Sequence, residues 1–219
     1  LLSTTGEKRN TVADLTKTIA PTRTLIGRVG VSDAELRTEL VRKALHTLIA
    51  LVPTLAALIG RDITVVLLAS GTLFYAFSEQ LRISGRRVLV VTRLTMMAAR
   101  EKDRGHFVLG PITLGIGAML SMLLYPAPAA AIAIYALAFG DGLSSLSGKM
   151  FGRFRIPLTG GKTLEGSATC FAAVLLSSYL VLGRLDYALA VAAAATLLEA
   201  MPTQDLDNIV LPLGVGLIA

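Results

Sequence analysis

Six apolar runs, near residues 44–60, 62–78, 107–125, 127–147, 165–183 and 186–201, limit what this chain can fold into more than any other feature. A hydrocarbon layer roughly 30 Å thick takes about 20 helical residues to cross. A segment in lipid must satisfy its own backbone hydrogen bonds, so only helices or a closed barrel can span. Alternating strand patterns are absent, which favours helices. A shorter run, 208–219, closes the sequence. The composition agrees: 53% of the 219 residues are hydrophobic, 16% are charged and the mean hydropathy is +0.67, too apolar for a soluble domain of this size. The expected fold is all-α, a polytopic membrane protein with six or seven transmembrane helices. It divides into an amino-terminal segment, 1–40, and a membrane-embedded domain, 41–219. The first 30 residues are rich in Thr, Lys and Arg and lack the apolar core of a secretory signal.

Charge placement gives an orientation. The net charge of +6 would suggest nucleic acid in a soluble protein, but no nucleic-acid module is present and the basic residues lie between apolar runs. Assigning the loops alternately to two sides puts eight basic residues in 1–43, seven in 79–106 and four in 149–162 on one side. Only Arg61 and Arg184 fall on the other. Lys and Arg accumulate in cytoplasmic loops, so the richer side is expected to be cytoplasmic. Thirteen of the fifteen acids share it, the exceptions being Asp62 and Asp186. Charges gathered at one face suit a site that takes a charged soluble substrate from the cytoplasm and a lipid from the bilayer. A transporter would place ionisable groups along a path, and neither an internal repeat nor a mid-span acid in 44–60, 107–125 or 186–201 is found. The segment Val88–Met97, apolar but short and flanked by arginines, reads as an interfacial helix. Ser32 and Glu35 form a capping-box pattern that starts a helix near Asp33.

The densest chemistry lies in Asp141–Ser167, DGLSSLSGKMFGRFRIPLTGGKTLEGS, between two membrane-length runs. Ionisable residues within membrane segments are costly and tend to mark function. Asp141 stands at the end of the fourth run, and Lys149 and Arg153 share a helical face if the helix continues. A carboxylate followed by basic groups suits a metal-bound polyphosphate, with Asp141 on a divalent ion such as Mg2+ and Lys149 and Arg153 on phosphate oxygens. The plainer reading is a helix-end ion pair with Gly148 and Gly152 as a packing seam. Gly160 to Thr163 resembles the tail of a P-loop, but the first required glycine would fall on Ile156 and no strand precedes it. What remains is a glycine loop carrying Lys162 to a helix that begins near Thr163, whose free N–H groups favour an anion. Glu165 in its first turn is either functional or dipole-favoured.

At the end of the chain Asp205 and Asp207 stand two apart before Asn208 and an apolar run. The pair either completes a metal site with Asp141 or caps a helix. Arg42, Lys43 and His46 sit at the mouth of the first run, with Lys43 and His46 on one face. From composition alone the two basic residues read as topological anchors. Glu79 and Arg82 are spaced to pair with each other, and His106 reads as interfacial. The single Cys170, inside an apolar run, can form no intramolecular disulfide and reads as packing.

Taken in order, RKALH at 42–46, SEQLR at 78–82, GDGLSSLSGKMFGR at 140–153, GKTLEGS at 161–167 and LDN at 206–208 resemble the polyprenol kinase family. That family includes dolichol kinases, phytol kinases and CTP-dependent diacylglycerol kinases, and the resemblance covers roughly 42–212. It implies a membrane enzyme that transfers the terminal phosphate of CTP to a lipid alcohol with a divalent cation. By the same resemblance Arg42, Lys43, Lys149, Arg153, Lys162 and Ser167 meet the nucleotide and its phosphates, and Asp141, Asp207 and Asn208 meet metal. Ser167 and its LEGS context favour the kinase branch over the phosphatidate cytidylyltransferases of the same superfamily. Those enzymes release pyrophosphate from CTP, and their usual Lys-Asp, Pro-Gly-His-Gly-Gly and Asp-Arg-x-Asp elements are missing here. The expected catalytic set is Asp141 and Lys162 with Glu165 or Asp205 as proton acceptor. The expected partners are CTP, Mg2+, a lipid alcohol and the bilayer, with no nucleic acid and room for a homodimer.

Overall fold

The structure, a computed structural model, describes residues 33–86, 88–103, 105–203 and 206–219. The amino-terminal residues 1–32, including Ser32 of the capping box, and Asp205 of the acidic pair lie outside the described residues.

Each apolar run becomes helix. The first is built from α1 (Asp33–Thr47), a 3-10 turn (Leu48–Leu51) and α2 (Val52–Ile59), followed by α3 (Arg61–Ile83). The short segment expected at the interface is α4 (Leu89–Ala98), and α5 covers Gly110–Leu124. A long helix then runs as α6 (Ala127–Tyr135), a π-helical stretch (Ala136–Asp141) and α7 (Gly142–Phe151). The remaining helices are α8 (Leu164–Leu182), α9 (Leu185–Ala200) and α10 (Asp207–Ile218). Among the described residues four helices are long and apolar enough to cross a membrane: Asp33–Ile59, Arg61–Ile83, Ala127–Phe151 and Leu164–Leu182. With the shorter apolar helices α4, α5 and α10 they make an all-α polytopic membrane protein.

The Ala127–Phe151 helix is the axis of the bundle. Buried residues make up 67% of its apolar window, against 33% or less in the other three long helices, so those three present most of their apolar surface outward. That distribution suits a lipid surround, where Leu58, Leu73 and Leu180 need no protein partner. Around the axis, Ile132, Ala136, Cys170, Val174, Val191, Ala195, Leu211 and Val215 form one core from α6, the π-helical stretch and α8 to α10. Cys170 is packing, as its setting in the sequence suggested. Small residues set the spacing. A Cβ on Gly140 would lie 2.9 Å from Val174 Cγ2, so α8 packs there only against glycine.

Two expectations change. The helix does not end near Ser147 but continues to Phe151, which places Asp141 within it and not at its end. It then stops, because Gly152 leaves the helical conformation, so Arg153 shares no helical face with Lys149. Gly148 and Gly152 form a packing seam: a Cβ on either would press into Thr163, at 2.9 Å from Oγ1 and 2.7 Å from Cγ2 respectively. Beyond the seam the chain folds back on itself. Ile156 N donates to Lys162 O and Leu164 N to Phe154 O, both at 2.9 Å, and the return passes through Gly160 and Gly161 at positive φ. This hairpin-like loop delivers Lys162 to the bundle, and Thr163 then caps α8 by accepting from Gly166 N at 3.2 Å.

Candidate active site

On α1, Glu39, Lys43 and His46 recur at helical spacing and are all buried. Lys43 and His46 face the π-helical stretch, and Glu39 faces α7. Lys43 Nζ lies 2.5 Å from Asp141 Oδ2, and His46 Nε2 lies 3.4 Å from the same oxygen. His46 Nε2 is also 2.9 Å from the Leu137 carbonyl oxygen. A carbonyl can only accept, so that nitrogen carries the hydrogen, and in the neutral ring Nδ1 is left as the acceptor. Leu137 and Asp141 both belong to the π-helical turn, a distortion that recurs at functional sites because it re-aims side chains.

Two further carboxylates extend the cluster. Glu39, 1% exposed, accepts from Arg42, from Ser145 Oγ at 2.9 Å and from Lys149 Nζ at 2.7 Å, with an Arg100 nitrogen 3.6 Å away. One carboxylate thereby fixes three cations from three parts of the chain. On the other side Glu199, near the end of α9, accepts from Lys162 Nζ at 2.5 Å and from Ser144 Oγ at 3.1 Å. Its second oxygen is buried without a hydrogen-bond partner among the described residues. Ser144 Oγ also lies 3.2 Å from the Asp141 carbonyl oxygen, an alternative acceptor for its one hydrogen, so Ser144 and Ser145 meet the two carboxylate hubs from successive residues of α7.

Asp207 opens α10 close enough to Asp141, Lys43 and Lys162 to feel the charge of each. Asp207 Oδ1 accepts from Asn208 N at 3.0 Å, and both ionic contacts of Asp141 fall on its Oδ2. Among the described residues, the hydrogen bonds and ion pairs of these two carboxylates thus fall on Asp141 Oδ2 and Asp207 Oδ1. Asn208 is oriented by α5, donating from Nδ2 to Thr113 Oγ1 at 2.9 Å and Gly110 O at 3.3 Å. Among the described residues no group of three or more His, Cys, Asp or Glu side chains is arranged to hold a metal ion. Two carboxylates with phosphate oxygens are the usual set for Mg2+, so the donor chemistry fits that ion once a phosphate is present.

The residues singled out in the sequence are therefore divided. Arg42, Lys43, Asp141, Lys149, Lys162, Asp207 and Asn208 converge. Arg153 is exposed on the loop. Glu165 stands apart, its carboxylate accepting from the Arg153 and Phe154 backbone at 2.9 and 3.3 Å, so in this structure it staples the loop to α8. Ser167 is buried in the first turns of α8, with no hydrogen bond from its hydroxyl among the described residues. Glu79 and Arg82 do pair. Together they hold the segment before α5, with Glu79 accepting from Val108 N at 2.8 Å and Arg82 donating to His106 O at 2.6 Å. Two members of the cluster, Glu39 and Glu199, were missed. Glu39 was legible as the residue that shares a face with Lys43 and His46. Glu199 sits at the end of an alanine-rich run, and nothing local distinguishes it from a helix-end charge.

Beside the cluster lies a cavity of about 320 Å3. Arg42, His46, Thr95, Arg100, Asp103 and Asn208 are among its polar lining residues, while Val91, Leu94 and Leu114 are among the apolar ones. Fold and site together define a polytopic membrane protein whose buried ionic cluster opens onto an apolar chamber.

Comparison with known proteins gives that class relatives. The chain is 31% identical over 144 residues to a probable chloroplastic phytol kinase of Triticum aestivum, covering 58% of this chain and 48% of the relative. It is 27% identical over 160 residues to a probable chloroplastic phytol kinase of Zea mays, covering 65% and 53% respectively. A phytol kinase of Synechocystis is 37% identical over 99 residues, or 41% of this chain and 42% of that protein. The chain thus spans about half the length of the curated relatives it matches. No family model and no solved structure matches it. These relatives bear out the resemblance to the polyprenol kinase family.

Proposed function

We propose that this chain carries the active site of a lipid kinase that transfers the terminal phosphate of CTP to an isoprenoid alcohol, with the site facing the cytoplasm. The observation that carries the reading is the convergence of Lys43, Asp141, Lys162 and Asp207 from four separate elements, next to His46 and Asn208, which line a largely apolar chamber. Kinship with phytol kinases supports the acceptor class, and the motif resemblance supports CTP as donor.

Phosphoryl transfer needs positioning and charge compensation more than covalent participation by the protein. Lys43, Lys162, Arg42 and Lys149 are each held by a carboxylate, so their ammonium and guanidinium groups are oriented before substrate arrives. Preorganised charges of this kind stabilise a transition state without reorganising during the reaction. Asp141 and Asp207, with Asn208 beside them, are the residues that would hold Mg2+, and the ion would supply positive charge to offset that of the phosphates. His46 touches both Asp141 and the chamber, and its Nδ1 accepts the hydroxyl proton as the alcohol oxygen attacks. The new bond joins that oxygen to the terminal phosphorus, and CDP departs.

The test is to incubate purified protein in lipid nanodiscs with labelled CTP, Mg2+ and phytol or diacylglycerol, and to identify the leaving product. CDP with a phosphorylated isoprenoid alcohol is the expected result. Pyrophosphate would instead assign the chain to cytidylyl transfer, and neither product with any lipid would overturn the enzyme reading.

A further inference from the structure

The cavity beside α4 has a largely apolar lining that meets the ionic cluster through His46 and Asn208. Most of its wall comes from α4, α5 and the segment between them. The wall segment is anchored independently of any ligand. Glu79, fully buried, accepts from Val108 N, and Tyr75 donates to Val108 O at 3.3 Å, which ties both backbone groups of a lining residue to α3. The cavity is therefore a built chamber and not a gap left by a loose loop.

At about 320 Å3 it is near the lower end of the roughly 300–1,000 Å3 typical of small-molecule sites. A space of that size accommodates one branched apolar chain end. A glycerolipid brings two acyl chains next to its hydroxyl, and a space of that size holds no second chain beside the first.

Resting on the kinase reading above, we infer that this chamber receives the hydroxyl-bearing end of a single isoprenoid chain, and that Val91 and Leu94 on α4 set the preference for one-chain alcohols over two-chain glycerolipids. The enzyme then reads the first isoprene units and not the full length of the tail, because the rest of the chain lies beyond the chamber. Alcohols that differ only in tail length should have similar KM values.

Three measurements decide this, each made in nanodiscs with CTP. Val91→Trp fills the chamber and should raise KM for phytol about tenfold while KM for CTP stays within about twofold. Leu94→Ala enlarges it and should shift the diacylglycerol-to-phytol ratio of kcat/KM upward by about fivefold or more. A photoreactive isoprenoid alcohol should label α4 or α5 in the wild type. An active wild type with unchanged phytol KM in Val91→Trp, or with unchanged acceptor ratio in Leu94→Ala, overturns the chamber alone. If Val91→Trp does not fold, Leu94→Ala, which adds no bulk, tests the same wall by itself. A wild type that phosphorylates no isoprenoid alcohol overturns the kinase reading itself, and labelling confined to other helices then removes the chamber as well.

Discussion

Lys43 and Asp141, separated by 98 residues in the chain, form an ion pair at 2.5 Å in which both side chains are almost wholly buried. Removing one partner of such a pair strands the other charge, at a typical cost of about 3–5 kcal/mol, whereas replacing both with apolar groups is often neutral. The pair thus has two separable roles, one in packing α1 against the central helix and one in chemistry. Asp141→Asn should lower both thermal stability and turnover, the latter by about 100-fold or more. The double variant Lys43→Met, Asp141→Leu should recover most of the lost melting temperature but none of the activity. Thermal unfolding in detergent beside a CDP-release assay checks both outcomes, and recovery of activity in the double variant would remove the catalytic role.

Glu39 takes no direct part in the reaction, yet it fixes Arg42, Lys149 and Arg100. Hydrogen bonds to charged groups are each worth about 1.5–3 kcal/mol, so neutralising the hub should loosen all three cations together. Glu39→Gln is expected to raise KM for CTP about tenfold with a smaller effect on kcat, since the cations remain but lose their common anchor. Equal losses in kcat and KM for phytol would contradict this positioning role.

The Lys162 ammonium is partly exposed and bound to Glu199, whose other oxygen is buried and unpartnered among the described residues. Lys162→Met should leave Glu199 a buried uncompensated carboxylate and cost both stability and rate. Adding Glu199→Gln should restore stability, while the rate stays down by about 100-fold if Lys162 meets the transferring phosphate. A double variant with wild-type turnover would reduce Lys162 to a structural partner.

How much of this site could be read from the sequence depended on how locally each residue announces itself. Asp141, Lys149 and Lys162 stand out because charges interrupt or border apolar sequence, and the runs marked out the helices, although the first helix begins at Asp33, well before its run at 44–60. Glu39 shares a readable helical face with Lys43 and His46, but its role as a hub needed a tertiary fact: its partners Ser145 and Lys149 come from a helix more than 100 positions away. Glu165 shows the reverse case. Its position in the first turn of α8 suggested chemistry, but the loop turned the Arg153 and Phe154 amides onto it and used it as a staple. The π-helical turn at Ala136–Asp141 left no sequence signal, because alanine, leucine and glycine are compatible with either helix type.

His46 is proposed as the proton acceptor because Nε2 is fixed on Leu137 O and Nδ1 is the ring's acceptor. General acid–base groups typically contribute about 10²–10⁴-fold, so His46→Ala should lower kcat by that order with KM for CTP little changed. His46→Asn keeps a donor for the Leu137 carbonyl and should retain the fold without restoring the rate. Wild-type kcat in either variant would assign the proton to another group.

Gly117 of α5 bears no charge, yet it governs where two polar residues of the site stand. A Cβ there would collide with the Asn208 carbonyl oxygen and come within 3.3 Å of Pro212 Cγ, so α5 and α10 meet at this point only through glycine. Asn208 and its neighbour Asp207 open α10, and the same helix contact sets their distance from Asp141. Overpacking a close contact typically costs about 1–3 kcal/mol, and here the least-resistance movement carries the Asp207 end of α10, proposed to hold Mg2+, away from the cluster. Gly117→Ala should therefore raise the Mg2+ concentration needed for half-maximal activity by about tenfold, with phytol KM nearly unchanged. Gly71→Ala serves as the control, since a Cβ there meets nothing within 4 Å. If both variants titrate with Mg2+ like the wild type, Asp207 does not owe its place to this contact.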